Sequence, residues 1–219
     1  MRLKVPLTKL SFYNHESAIM NKTALQNIRR VHGGYINKAS YLTNVPADII
    51  TSIVFIESAG NQNVVSSAGA VGLMQLKPMT ANDTIWIENS KTRLTSLEKT
   101  VIRKYIGNRL DAILSMKYLN HKLKINNYSG NAITKNDLLQ PYFNLIIGAI
   151  LLGLLIDQAT NKGQLRFENV LLRYNQGYFF TPKGNNFDEV LANVKSRTEA
   201  YNYLLKMVGK NGIMETAIS

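Results

Sequence analysis

Glu57 is an acid standing where a helix asks for an apolar side chain. Ile50, Ile53 and Val54 precede it by seven, four and three residues, so the four side chains share the stripe that faces a core. A carboxylate aimed inward must be paired, or must sit in a cleft where lost hydration raises its pKa. The last helical turn pushes the same way, because the partial negative charge of a helix C-terminus disfavours another anion there. A carboxyl kept protonated near neutral pH is a general acid. The plainer alternative is a buried glutamate tied to an arginine or to backbone amides.

The helix that carries Glu57 is expected over 47–58, with Asn44 as N-cap, Pro46 and Asp48 in the first turn and Gly60 as the stop. After it come Ser66, Ser67, Ala68, Gly69, Ala70 and Gly72. So many small side chains suit close approach by a ligand better than a packed strand, and the stretch reads as the wall of a cleft.

Glu57-Ser58, Ser66 nine residues on, and Gly72-Leu73-Met74-Gln75 ending a further nine on resemble the catalytic region of soluble lytic transglycosylases. These form the goose-lysozyme-like branch of the lysozyme superfamily. Arg173-Tyr174-Asn175-Gln176-Gly177 is similar to the third motif of that family, Glu199 with Tyr203 to its terminal Glu-x-x-x-Tyr, and the apolar run 144–156 to its central helix. The resemblance spans about 36–208, with four motifs in register. Lys77, Arg173 and Gln176 depart from the family pattern, and the stretch between Thr80 and Pro141 is longer than the family core requires.

The resemblance implies a peptidoglycan-cleaving enzyme in which one glutamate, here Glu57, serves twice. It protonates the β-1,4 glycosidic oxygen between N-acetylmuramic acid and N-acetylglucosamine, then takes the proton from the muramoyl 6-hydroxyl, which closes onto the anomeric carbon as a 1,6-anhydro end. It further implies that Ser66 bonds the substrate's N-acetyl group or orients Glu57, and that Gln75 holds a sugar hydroxyl or acetamido group. Tyr174 and Asn175 would steady the sugar, and Glu199 would meet the peptide stem or pair with a cation. Taken singly, Glu199 reads as a helix-surface acid and Tyr203 as a core aromatic. From Ser58 to Gly107 the other acids are Asp83, Glu88 and Glu98, expected beyond the cleft wall, so no second catalytic carboxylate is expected close after Glu57. Two other readings stay open: a goose-type lysozyme that uses water on the same fold, and a non-catalytic virion or DNA-binding protein.

The elements that must position these residues read as a mainly α, lysozyme-like fold of the α+β kind, with a small irregular or β lobe over 61–71. Helices are expected over 17–31, 35–42, 47–58, 73–82, basic patterns over 96–124, a central helix from 144, and shorter ones over 167–174, 187–194 and 197–208. Loops are expected over 126–131 and 182–186. A chain of 219 residues, 45% hydrophobic, can bury one full core; the expected organisation is a single domain over 1–219 with a basic insertion over 83–140.

Without cysteine there is no disulfide framework and no thiolate ligand, and His15, His32 and His121 lack ligand spacing, so neither a metal nor a cofactor is expected. The basic N-terminus has no apolar stretch of signal-peptide length, and the run Leu145 to Ile156 is too short to span a bilayer. Cellular members of the family it resembles normally carry an export signal or lipid anchor, so the resemblance implies a phage product, carried in the virion beside other virion proteins or released from the host cytoplasm to the wall. Net charge is +12, and the stretch from Lys91 to Lys124 alone holds nine Lys or Arg against Glu98 and Asp111. Such a balance favours contact with an anionic wall polymer or DNA; a solvated helix face is the bland alternative.

Overall fold

Helix 47–58 forms as the pattern requires, and the rest of the molecule is assembled around it and one apolar helix. The computed structural model describes residues 4–115, 133–195 and 197–218. Helix α1 runs His15–Thr43, capped by the Asn14 side chain on Ser17 N–H, and α2 runs Ala47–Ser58. Helices α3 (Pro78–Ser90), α4 (Ser96–Ile106), α5 (Arg109–Leu114) and the short α6 (Lys135–Leu138) follow. Then come α7 (Pro141–Ala159), a two-residue antiparallel hairpin of β1 (Thr160–Asn161) and β2 (Gln164–Leu165), α8 (Phe167–Gln176), α9 (Phe187–Val194), α10 (Thr198–Val208) and α11 (Ile213–Ile218). The fold is mainly α, with one two-residue hairpin among the described residues.

Helix α7 is the axis. It is apolar on all sides, with Phe143 and Leu145–Ile147 buried completely, and α1, α3 and α8 pack around it. By length and composition it could cross a bilayer, yet 72% of its most apolar window is buried inside the fold. Burial of this kind stabilises by about 25 cal/mol per Å² of apolar surface, which is why the flanking amphipathic helices close over it. Trp86, the chain's single tryptophan, lies half-buried on α3 against the same core.

Several expectations are corrected. The two helices expected over 17–31 and 35–42 are one 29-residue helix that runs straight through Gly33 and Gly34. A Cβ at either glycine would meet nothing within 4 Å, so both face outward. Their propensity cost of roughly 1 kcal/mol each is overridden by burial of Leu25, Ile28, Ile36 and Ala39 on the opposite face. Asn44 does not cap α2: it ends α1 in the left-handed region (φ 57°), and Pro46 precedes α2 with no side-chain cap. The helix expected over 73–82 begins only at Pro78; residues 72–75 form a tight turn bridged by Val71 and Leu76, because Gly72 (φ 77°) and Gln75 (φ 47°) are left-handed. Helix α11 and the Lys162-Gly163 hairpin were not anticipated.

The basic stretch also departs from expectation. It breaks at Gly107 into α4 and α5 instead of forming one face. Arg103 makes a two-bond ion pair with Asp111, and Arg109 one with Asp137. Ile102, Ile106, Leu110, Ile113, Ile133 and Leu138 belong to the main core cluster, so residues of the 83–140 stretch help build the fold's interior. Lys117, His121, Lys122 and Lys124, and the loop expected over 126–131, lie outside the described residues.

Candidate active site

A turn of four residues organises the site. Gly72-Leu73-Met74-Gln75 docks on α7 through Asn144, whose side chain is fully buried: its Oδ1 accepts the Met74 N–H at 2.8 Å, and its Nδ2 donates to the carbonyls of Val71 (2.9 Å) and Leu138 (3.0 Å). A Cβ on Gly72 would lie 2.5 Å from Asn144 Nδ2, and one on Gly148 would lie 2.3 Å from Met74 Sδ, so both close approaches need glycine. The same turn receives the Ser58 hydroxyl on the Leu73 carbonyl at 2.8 Å, which fixes the end of α2, and the Tyr174 hydroxyl on the Met74 carbonyl at 2.8 Å, which fixes α8. Three separate helices are thus registered against one turn.

Glu57 stands in the last turn of α2, beside this hub, and faces a cleft of about 610 Å³. Its Oε1 accepts the Tyr203 hydroxyl at 2.7 Å. Burial pushes its carboxyl up from 4.5 to about 7; the Tyr203 hydrogen bond pulls the other way, and the negative charge of Glu199 adds to the rise. The phenols of Tyr203 and Tyr174 are raised well above their ordinary value, chiefly by burial and then by the charge of Glu57, so both remain hydrogen-bond donors. At neutral pH Glu57 is close to half protonated, the state that suits a group asked both to give and to take a proton.

The cleft brings together all six residues singled out in the sequence: Glu57, Ser66, Gln75, Tyr174, Asn175 and Glu199 line it. Their local bonds differ from the expected ones. The Ser66 hydroxyl accepts the Ala70 N–H at 3.0 Å and shapes the 66–70 turn instead of bonding Glu57. The Gln75 amide nitrogen is spent on the carbonyls of Val64 and Gly72, which leaves its oxygen for a ligand. Tyr174's hydroxyl is likewise committed to Met74, so its ring is what it presents. Asn175 donates to Glu199 at 3.3 Å, and Glu199 pairs with no cation among the described residues.

Three further residues matter more than the sequence alone indicates. Tyr203, only 7% exposed, is a core aromatic by burial but its hydroxyl holds Glu57; its place one turn after Glu199 was the available signal. Asn144 is the polar start of an otherwise apolar run. Asp83 corrects the expectation that the downstream acids lie beyond the cleft wall: Thr80, Asp83, Thr84 and Ile87 share one face of α3 and line the cleft with Glu57. Glu88 and Glu98 do lie elsewhere, Glu88 paired with Arg93 and Glu98 closing the capping box with Thr95.

Residues 34–102 match the model of the transglycosylase SLT domain. Over 49 residues the chain is 51% identical to an endo-type membrane-bound lytic murein transglycosylase A of Klebsiella pneumoniae, covering 22% of this chain and 24% of that protein. Over 122 residues it is 30% identical to a membrane-bound lytic murein transglycosylase E of Buchnera aphidicola from Acyrthosiphon pisum, covering 54% and 52%. The corresponding protein from the Baizongia pistaciae strain is 32% identical over 80 residues, or 36% and 38%. The chain therefore spans between about a quarter and about half of the length of these relatives.

Proposed function

We propose, from the premise that this chain belongs over residues 34–102 to the soluble lytic transglycosylase family, that it cleaves the glycan strands of peptidoglycan without water. The observation that carries this reading is Glu57: a half-buried carboxyl in a sugar-sized cleft, held by Tyr203 and shifted to about 7. In the first step the Glu57 carboxyl gives its proton to the glycosidic oxygen between N-acetylmuramic acid and N-acetylglucosamine, the bond to the anomeric carbon breaks, and positive charge spreads over that carbon and the ring oxygen. In the second, the carboxylate takes the proton of the muramoyl 6-hydroxyl as its oxygen bonds the anomeric carbon. Glu57 ends protonated, as it began, and the product carries a 1,6-anhydro end.

Tyr203 stabilises the carboxylate formed between the steps, since a hydroxyl donating to an anion lowers its pKa. Gln75 offers its amide oxygen to a sugar N–H or hydroxyl, Tyr174 its ring, and Asn175 and Glu199 their polar groups. Asp83 favours a second reading. A further carboxylate on the cleft wall is what a hydrolytic glycosidase needs to activate water, as on the goose-lysozyme branch. Mass spectrometry of products from purified peptidoglycan decides between them: anhydro-muropeptides one water lighter than the lysozyme products support the transglycosylase, whereas reducing muramic ends in Asp83-dependent amounts support hydrolysis. No cleavage of either kind would remove both.

A further inference from the structure

Arg173 is the anomaly in the cleft. Four described arginines are half-buried, and three of them have a carboxylate: Arg93 has Glu88, Arg109 has Asp137 and Arg166 has Glu168. Arg173 has none. Its Nε donates to the Phe180 carbonyl at 3.2 Å, and its Nη1 is buried without any acceptor. A charge withdrawn from water and left unpaired is costly, and so is a buried donor with nothing to bond. A half-buried guanidinium in a cleft wall that is short of partners has charge left to offer a ligand. Lys77, just before α3, is exposed, lines the same cleft and makes no ion pair among the described residues. Glu57, Ser66 and Gln75 line that cleft with them.

We infer that Arg173, from α8, and Lys77, from the residue before α3, make the cleft selective for a glycan that carries carboxylates, the two cations meeting the acidic substituents of a strand whose sugars lie against the Gly72–Gln75 turn. The inference rests on the reading of the cleft as a glycan site and adds to it the charge of the ligand. A neutral polymer of N-acetylglucosamine fills the same sugar positions and leaves both cations as they are. A muramoyl strand bearing free stem carboxylates neutralises them. The guanidinium, planar and weakly hydrated, suits a carboxylate better than the lysine, which adds a movable point charge at the cleft mouth.

The test uses the Glu57→Gln protein, so that strands bind and are not cut, and compares calorimetric binding of chitohexaose with that of solubilised peptidoglycan strands bearing their peptide stems. Lys77→Gln and Arg173→Gln in this background should each raise the Kd of the carboxylate-bearing strand about tenfold more than that of chitohexaose, and the salt dependence of the former should flatten. Because Arg173→Gln is half-buried and can disturb folding, the ligand is changed as well: strands whose carboxylates have been converted to methylamides should bind the protein with both cations intact about tenfold more weakly than the untreated strands. Equal losses on neutral and acidic ligands, or no loss on amidating the strand, would overturn the assignment while leaving the glycan site standing. Failure of every glycan to bind would overturn it together with the reading it rests on.

Discussion

The turn at Gly72–Gln75 and the stretch from Thr95 to Ser115 are both rich in polar atoms, and the chain uses them in opposite ways. At the turn, one buried asparagine, one serine and one tyrosine reach in from three helices to satisfy backbone groups, so nearly every polar atom is spent on geometry. Along α4 Arg103 and Lys104 stand at the surface, where Arg103 is answered by Asp111 in open solvent, and on α5 the half-buried Arg109 is answered by Asp137. The first arrangement is stiff because an unmade bond there would be buried and costly; the second is loosely worth its screened Coulomb energy. A motif rich in chemistry-bearing residues can therefore be mostly scaffold, and a run rich in charge can be mostly neutral.

The largest effect that would sharpen this contrast is at the group the scaffold serves. Glu57→Gln should lower peptidoglycan cleavage by at least about a thousandfold, and activity within tenfold of the parent would end the catalytic assignment. The same substitution has a pH-dependent effect on stability. The folded pKa of about 7 lies above the unfolded value near 4.5, so the stability of the neutral carboxyl is fully present below pH 4.5 and lost as pH rises through 7. Denaturant melts should show the variant matching the parent near pH 4 and exceeding it at pH 8, by on the order of 3 kcal/mol.

Next comes the hub itself. Asn144→Ala leaves the Met74 N–H and the Val71 and Leu138 carbonyls buried and unpaired, and should cost about 3 kcal/mol in urea unfolding while lowering activity through a displaced turn. A loss below about 1 kcal/mol would show that the turn holds its place without the asparagine.

A smaller and more discriminating pair acts on the acid. The fall of kcat/KM on the alkaline side should follow Glu57, with an apparent pKa of about 7. Tyr203→Phe removes a bond that favours the anion, so that limb should move up in pH, with cleavage reduced about tenfold. Glu199→Gln removes a neighbouring negative charge, so the limb should move down. Shifts of the same sign in both variants would contradict the arrangement. The smallest effect belongs to the surface stretch: Arg103→Gln should leave the melting temperature and the rate on short glycans indistinguishable from the parent.

How much of this could be read in advance follows the physics of each part. Helices α2, α9 and α10 were legible to within a residue because their periodicity and stops are local. That six residues far apart in the chain would line one cleft was legible because four spaced motifs had to meet. The helix expected at Leu73 was not there, since left-handed Gly72 and Gln75 are set by docking onto Asn144, seventy residues away in the chain. Gly33 and Gly34 looked like a break because local propensity was weighed without the core on the other face of α1. Tyr203 and Asp83 were undervalued for one reason: which face of a helix meets a cleft is decided by the packing of helices that share no local sequence.

The single tryptophan gives the molecule an optical handle. Trp86 sits on α3, the helix whose neighbouring face, from Thr80 to Ile87, walls the cleft. Excited apart from the tyrosines, its emission reports the polarity and rigidity around that one helix. A strand lying along the cleft would perturb it by pressing on α3, whereas a ligand held on α1 or on the Arg103 surface would leave it dark to the event. The chain thus carries its own unlabelled sensor of cleft occupancy, readable at equilibrium in a variant that binds without cutting.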